Sequence, residues 1–149
     1  VQLGVLDAAE VLFVERLSAP GAVINYTRIA GRLPLHVSSS GHVLLAFGPR
    51  DLQERILAGP LTRYTAHTLT DPAALRAALA EVRREEFACL PGHVHEDALG
   101  IAVPVRDGSG TVIAALAAIV PVGTSRQAVT GVLATAARGI TRALANPLR

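Results

Sequence analysis

The sequence predicts a single compact α/β domain. Three observations lead to this fold class: two pairs of apolar runs with hairpin spacing, helix-start signals between them, and strands whose apolar residues do not alternate with polar ones. At 149 residues the chain is long enough to bury about 70% of the surface that its unfolded form exposes. No repeat, low-complexity tract or linker divides it. We therefore expect one hydrophobic unit.

The first part of the chain has the pattern of strands. Residues 1–6 and 11–17 are apolar runs separated by four residues, a spacing that predicts a β-hairpin. Residues 22–27 follow a Pro-Gly turn and include Tyr26, and they predict a third strand.

Residues 31–47 are the most distinctive stretch, because an extended run leads directly into an apolar helix. Pro34 disfavours helical dihedrals at Leu33, so we expect the chain to stay extended through Val37. Three serines at 38–40 are candidate N-caps. Such a junction presents backbone N–H groups and hydroxyls to a small polar or anionic ligand, although an ordinary capped helix needs the same residues.

Two further helices are predicted in the middle of the chain. Residues 50–58 precede a Gly-Pro stop. A polar connection over 61–69 follows, and then Asp71 as N-cap with Pro72 at the first helical position begins a longer helix. The apolar residues on one face of that helix are Leu75, Leu79 and Val82.

A second hairpin and a last helix complete the chain. Residues 100–106 and 111–120 flank an Asp-Gly-Ser-Gly turn, and their continuous apolar character predicts that both faces of the sheet are covered. The alanines of 114–118 either allow helices to approach closely or leave a cavity beside the sheet. Ser125 is the expected cap of the last helix. The residues expected on its apolar stripe are Val129, Val132, Leu133, Ala136 and Ile140.

Composition and charge exclude several classes of function for this segment. All fourteen basic residues are arginines, and they are scattered along the chain. With a net charge of only +2, this pattern does not indicate a surface that binds nucleic acid, which needs basic residues clustered on one face. No apolar run reaches the roughly 20 residues that span a bilayer, and we see no secretion leader. Cys89 is the single cysteine, expected as a buried structural thiol. We expect a cytoplasmic protein without a membrane partner.

His93 and His95 are the weak candidates for a metal site. If residues 93–97 continue a strand, the two side chains point the same way, and Glu96 or Asp97 completes a ligand set. The same histidines are alternatively donors to an anionic ligand, or part of a polar loop at the mouth of a pocket. No third ligand is fixed elsewhere, so we expect no metal.

Catalytic signatures are weak in this sequence. Serines 38–40 with His36 or His42 as a base lack the G-x-S-x-G elbow, and a capping serine already accepts a hydrogen bond from the helix. No phosphate-binding loop or dinucleotide fingerprint occurs. We expect neither an enzyme nor a cofactor.

Five short motifs occur in order along essentially the whole chain. They are LPLH at 33–36, SGHVLLA at 40–46, EFA at 86–88, IAVPVRD at 101–107 and TVIAAL at 111–116. Together they resemble the effector-binding domain of the IclR family of transcriptional regulators. The resemblance implies a GAF-like α/β fold, with a central antiparallel sheet flanked by helices, and a small-molecule effector held between the helix start at 38–41 and the hairpin at 100–121.

The resemblance also implies a set of ligand-binding residues. Family members that bind small oxo-acids have a cysteine or similar small residue at the position of Gly100, and serines at those of Ala117 and Ile119. A hydroxyl contact to a carboxylate contributes roughly 1.5–3 kcal/mol, and this chain lacks both serines, so we expect small oxo-acids to bind weakly. We expect instead a larger, partly apolar acid with its polar end at 38–40. The expected ligand-binding residues are Ser38, Ser39, Ser40, Gly41, His93, His95, Gly100, Ala117 and Ile119.

For the whole protein, the resemblance implies a homodimer or tetramer. It also implies a winged helix-turn-helix upstream of Val1, through which operator DNA is bound. Two alternatives remain: a stand-alone GAF-like sensor, and a small metal- or histidine-dependent hydrolase or isomerase. The coding sequence upstream of Val1 distinguishes the first of these from the regulator.

Overall fold

The computed structural model describes residues 1–22 and 30–146. The strands in this part of the chain are β1 (Gln2–Asp7), β2 (Glu10–Arg16), β3 (Arg32–Pro34), β4 (Ala88–Pro91), β5 (Ala98–Arg106) and β6 (Val112–Pro121). Its helices are α1 (Ser39–Ala46), α2 (Arg50–Ala58), α3 (Pro72–Glu85) and α4 (Arg126–Ala145). The six described strands form one antiparallel sheet in the order β3-β2-β1-β6-β5-β4.

Both predicted hairpins are confirmed. In the first, Asp7 pairs with Glu10, and Ala8 turns the chain in the left-handed region at φ 55°. In the second, Asp107 shapes the turn between β5 and β6, because its carboxylate accepts hydrogen bonds from the N–H groups of Ser109 and Thr111.

Of the predictions about the extended segments, one is untested and another is partly wrong. The third strand, predicted over 22–27, lies almost entirely outside the described residues. The extended run after residue 31 is shorter than predicted, because β3 ends at Pro34 and the chain turns at once. The N–H of Val37 donates to the carbonyl of Pro34 at 3.3 Å, and this turn leads the chain to the start of α1.

Both faces of the sheet are covered, as predicted. On one face α1 packs against the sheet, and α2 and α3 pack against α1, with Phe13, Leu45 and Leu75 among the fully buried side chains. On the other face α4 contributes Leu133 and Ala137 to a second apolar cluster. The central strand β6 serves both clusters, since Ala115 and Ala117 face α1 while Ala114, Leu116 and Ala118 face α4.

The middle helices begin and end as predicted, but the stripe predicted for α4 is partly wrong. Asp71 caps α3 by accepting the N–H of Ala74, and Gly59 ends α2. On α4 the buried residues are Leu133 and Ala137, whereas Val132 is 71% exposed and Ala136 is also exposed. The residues of α4 that pack against the sheet are therefore spaced four apart, at 129, 133 and 137. Val132 and Ala136 each precede one of them by one position, which turns their side chains about 100° away.

Candidate functional site

The N-terminus of α1 is buried against the sheet and free of acidic side chains in its first turn. Ser38 is the N-cap, and its Oγ accepts the N–H of Gly41 at 3.0 Å. The amides of Ser39 and Ser40 stand at the first two helical positions, where the helix itself supplies no acceptor. The predicted capped helix is thus confirmed, and its start has the geometry that favours an anion.

Glycines allow α1 to lie this close to its neighbours. A Cβ atom on Gly41 would be 2.2 Å from the carbonyl oxygen of Leu35, so no other residue fits there without a shift of the backbone. A Cβ on Gly4 of β1 would contact the Cβ of Ser40 on α1 at 3.5 Å. As a result every residue of α1 is buried.

Ser39 and Ser40 reach strands on opposite sides of β6. Ser39 faces β5, where a Cβ on Gly100 would lie 2.9 Å from its Oγ. Ser40 faces β1, where its Cβ is 3.5 Å from the corresponding position on Gly4. Because β6 lies between β1 and β5, the two hydroxyls flank the face of β6 that carries Ala117, a fully buried residue.

Ser40 carries a hydroxyl group with no hydrogen-bond partner among residues 1–22 and 30–146. Its side chain is fully buried. Leaving such a group unsatisfied costs roughly 1–3 kcal/mol, so a buried hydroxyl without a partner indicates a position that a ligand or water satisfies.

Ile119 connects this region with an apolar groove. Its Cδ1 is 3.7 Å from the Cβ position of Gly100, and the residue also lines a groove of about 470 Å³. The groove is bordered by both ends of the first hairpin, at Val1 and Leu17, and by the end of β6 at Pro121. Its volume falls within the range that small-molecule sites occupy.

His42 is a second buried polar residue of α1. Its Nε2 is 2.9 Å from the carbonyl oxygen of His36, and because a carbonyl can only accept, Nε2 carries the proton. The other ring nitrogen, Nδ1, has no hydrogen-bond partner in the described part of the chain. Burial lowers the pKa of His42 from 6.5 to about 4, so the imidazole is neutral at pH 7.

His93 lies against His42, and the prediction that His93 and His95 share one side of a strand is wrong. The ring centroids of His93 and His42 are 6.4 Å apart in an edge-to-face arrangement. The strand β4 ends at Pro91, and Gly92 turns the chain at φ +74°, so residues 93–97 form a loop. There the Nδ1 of His95 accepts the N–H of Asp97 at 3.3 Å.

The polar connection over 61–69 holds this loop in place. The hydroxyl of Thr68 donates to the carbonyl of His93 at 2.7 Å, and that of Thr65 donates to the carbonyl of Gly92. Burial also lowers the pKa of His93, and no described residue forms a hydrogen bond with its Nδ1. Across residues 1–22 and 30–146, no three His, Cys, Asp or Glu side chains are grouped to hold a metal ion.

The serines and histidines do not form a catalytic pair. Ser38 accepts from Gly41, while the Nε2 atoms of His36 and His42 are paired with the carbonyls of Thr62 and His36. Cys89 is half-buried on β4 rather than fully buried as predicted, and burial raises the pKa of its thiol. The raised pKa keeps the thiol protonated and weakly nucleophilic.

The structure thus brings together part of the predicted set and adds one residue to it. Ser39, Gly100 and Ile119 meet, and Ser40 and Ala117 lie beside them. His95 lies on the separate 93–97 loop, and Ser38 has a capping role. His42 is predicted from the sequence only as a candidate base; its place three residues after Ser39, on the same side of an apolar helix, is the signal that indicates burial.

Within the described residues, a buried helix start and an unpartnered hydroxyl face an antiparallel sheet, and these features favour a small-molecule-binding domain. The model of the bacterial transcriptional regulator IclR C-terminal family matches residues 1–145. The chain belongs to this family, and it is the effector-binding domain of a transcriptional regulator. The predicted family and α/β fold are confirmed.

Curated relatives are regulators of transcription rather than enzymes. The HTH-type transcriptional regulator XynR of Escherichia coli is 36% identical over 115 residues, which cover 76% of this chain and 46% of that protein. The p-hydroxybenzoate hydroxylase transcriptional activator of Acinetobacter baylyi is 40% identical over 119 residues, with coverages of 75% and 44%. The chain thus spans about half the length of the curated relatives it matches.

Solved structures give the same result. An IclR homolog from Microbacterium hydrocarbonoxydans, complexed with 4-hydroxybenzoate, superposes with a TM-score of 0.93 at 47% identity, covering 96% of this chain and 59% of that one. A double mutant of the PobR inducer-binding domain from Acinetobacter, in complex with 3-hydroxybenzoic acid, has a TM-score of 0.83 at 29% identity, with coverages of 94% and 86%.

Proposed function

We propose that this domain senses a partly apolar organic acid, bound between the start of α1 and the β5–β6 hairpin. The observation that carries the proposal is the buried, unpartnered hydroxyl of Ser40 at a helix N-terminus. A carboxylate at this point accepts hydrogen bonds from Ser40 and from the first-turn amides, and it interacts favourably with the helix dipole.

The apolar character of the opposite wall supports an effector larger than a two- or three-carbon oxo-acid. Ala117 and Ile119 present only hydrocarbon, and the groove beside Ile119 continues with Val1, Leu17 and Val120. An aromatic or alicyclic ring buries its surface there, at roughly 25 cal/mol per Å² of apolar area. The relatives complexed with 4-hydroxybenzoate and 3-hydroxybenzoic acid support an aromatic acid as the effector class.

For the whole protein, we propose a homodimer or tetramer with a winged helix-turn-helix preceding Val1, which binds operator DNA. In such a protein the paired subunits have two arrangements, and the effector shifts the population toward the arrangement that it binds more tightly. The coding sequence upstream of Val1 tests this proposal: a helix-turn-helix of about 70–90 residues with a basic recognition helix would support it. Light scattering that shows a monomer at micromolar concentration contradicts the oligomeric part.

Two serine variants test the location of the site. Ser40→Ala removes the unpartnered hydroxyl, so we expect the ligand-free domain to be as stable as the wild type or more stable, while benzoate affinity falls about tenfold. Ser38→Ala removes the N-cap, so it lowers the free energy of unfolding by about 1 kcal/mol. Denaturant unfolding and calorimetric titration separate the two effects. Unchanged benzoate affinity in Ser40→Ala contradicts the proposed site.

A further inference from the structure

A second groove, of about 420 Å³, lies between α4 and the end of β5. Val103 and Pro104 of β5, with Ala134 and Ala137 of α4, form its apolar floor. The groove shares no residue with the candidate effector site, because Val103 and Ala137 belong to the apolar cluster on the other face of the sheet. Its volume is sufficient for a small organic ligand.

The groove results from the different lengths of β4 and β5. The pairing of these strands ends at Ala88 opposite Ala102, so in the described chain no strand lies beside the last residues of β5 on that side. The turn after β5 approaches the end of α4, where a Cβ on Gly108 would lie 3.8 Å from the Cβ of Ala145. Strand, turn and helix therefore border a concave space.

Positive charge predominates on the rim of this groove. Three guanidinium groups, those of Arg106, Arg138 and Arg142, lie there with the single carboxylate of Glu86. Arg106 is paired, because its Nη2 donates to both carboxylate oxygens of Glu86 at 2.9 and 3.1 Å. Neither of the other two arginines forms an ion pair with a carboxylate among residues 1–22 and 30–146. Two positive charges thus remain uncompensated.

The stability of α4 does not account for these two arginines. The helix has no acidic residue, and Arg138 and Arg142 are four residues apart, so their like charges repel each other. The helix dipole favours Arg142 in the last turn but not Arg138, which lies about two turns from the end. Arg138 donates to the hydroxyl of Thr135 at 3.1 Å, and this neutral acceptor leaves its charge in place. An anion from outside the chain would compensate both charges.

We propose that this groove binds a phosphate monoester with a compact apolar body. The phosphate lies between Arg138 and Arg142, and the hydrocarbon lies on the apolar floor. A phosphate monoester carries a charge of about −1.5 to −2 at pH 7, which matches two unpaired guanidinium groups. Each guanidinium presents N–H groups in a fork that fits two phosphate oxygens, whereas a single carboxylate compensates only one of the two charges. The domain then has a second ligand, separate from the proposed effector.

The first test is calorimetric titration of the 149-residue chain with phenyl phosphate and with inorganic phosphate. We expect inorganic phosphate to bind at least about tenfold more weakly, because it buries no apolar surface on the floor. Arg138→Gln and Arg142→Gln each remove one charge-assisted contact, so each weakens phenyl phosphate binding about tenfold. Arg126→Gln is the matched control: it removes the same charge from α4 outside the groove, and affinity stays within about twofold.

A second pair of variants tests the apolar floor without changing charge. Ala134→Leu fills part of the groove, so we expect phenyl phosphate affinity to fall at least about tenfold. Ala136→Leu makes the same change at an exposed position of α4 outside the groove, and affinity stays within about twofold. Circular dichroism checks the folding of each variant.

Benzoate titration of the same variants separates this inference from the proposed function. Benzoate affinity should be unchanged in Arg138→Gln, and phenyl phosphate affinity unchanged in Ser40→Ala. Phenyl phosphate that fails to bind, or that loses as much affinity in Arg126→Gln as in Arg138→Gln, overturns the second site and leaves the proposed effector class intact. Phenyl phosphate binding that is weakened by Ser40→Ala but not by Arg138→Gln also overturns it, since the ester then occupies the effector site.

Discussion

The Oγ of Ser39 occupies the space into which a side chain at Gly100 would project, 2.9 Å from the position of its Cβ. This contact ties the start of α1 to β5 and fixes the distance between the serines and the hairpin. It also explains why the position of Gly100 on β5 tolerates so little volume, since Ile119 closes the other side at 3.7 Å.

Gly100→Ala is expected to weaken effector binding more than it weakens folding. The added methyl group meets the end of a short side chain, so the Ser39 hydroxyl rotates away and the free energy of unfolding changes by less than about 1 kcal/mol. The methyl group takes up space between α1 and β5, where we propose that the carboxylate binds, so benzoate affinity falls several-fold. Denaturant unfolding and calorimetry measure both quantities. A loss of several kcal/mol in the free energy of unfolding would contradict this expectation, because it would show that the Ser39 hydroxyl cannot move away from the methyl group.

Gly41→Ala and Gly131→Ala form a matched pair of helix glycine substitutions with opposite expected signs. The methyl group at position 41 meets the backbone of Leu35 at 2.2 Å, so we expect a loss of about 2–3 kcal/mol. At position 131 in α4 no atom lies within 4 Å, so the better helix propensity of alanine adds about 0.5–1 kcal/mol. Urea unfolding of both variants tests this. Similar effects in both contradict the close approach of α1.

The stability of the domain should fall as the pH is lowered from about 6.5 to 4, partly because of His42. Its pKa is lowered from 6.5 to about 4 in the folded domain, so in this range the unfolded chain binds a proton that the folded one does not. The loss reaches roughly 3 kcal/mol near pH 4. His93, whose pKa is also lowered, acts in the same direction.

The His42→Gln variant is the control for this pH dependence. It has no titrating group at that position, so its unfolding free energy should decline less steeply between pH 6.5 and 4 than that of the wild type. Denaturant unfolding at half-unit pH intervals compares the two slopes. Parallel curves for the wild type and His42→Gln rule out a buried neutral histidine.

Arg106 is expected to stabilise the end of α1. Its guanidinium lies 4.9 Å from the ring centroid of Phe47, the C-cap residue of α1, and it donates to both carboxylate oxygens of Glu86. These groups are partly exposed, so we expect Arg106→Ala to cost about 1 kcal/mol, against less than about 0.5 kcal/mol for Arg142→Ala on α4. Equal thermal shifts for the two variants contradict this role.

Local signals in the sequence are sufficient to predict most of the fold. The Asp-Pro start of α3, the Gly-Pro end of α2 and the two hairpin turns depend on residues within a few positions of each other, and the structure has each of them. The face of α4 was harder to predict, because alanines on several sides of that helix hardly distinguish buried from exposed positions.

The site was less accessible to sequence reasoning, for two physical reasons. Three consecutive serines point about 100° apart once the helix forms, and only the packing against Gly4 and Gly100 shows which one caps and which ones face the sheet. The loop after β4 did carry a signal, the Pro-Gly pair at 91–92, which favours a turn over a continued strand. The unpartnered Nδ1 of His42 depends on the fold as a whole.

The most direct test of the central claim is the thermal stability of the domain against a panel of acids, from glyoxylate and pyruvate to benzoate and the hydroxybenzoates. A ligand at 100 times its dissociation constant adds about 2.7 kcal/mol to the free energy of unfolding, which raises the melting temperature by several degrees at this size. We expect such shifts with aromatic acids and none with the two oxo-acids. A shift with glyoxylate or pyruvate and none with any aromatic acid would contradict the proposed apolar site.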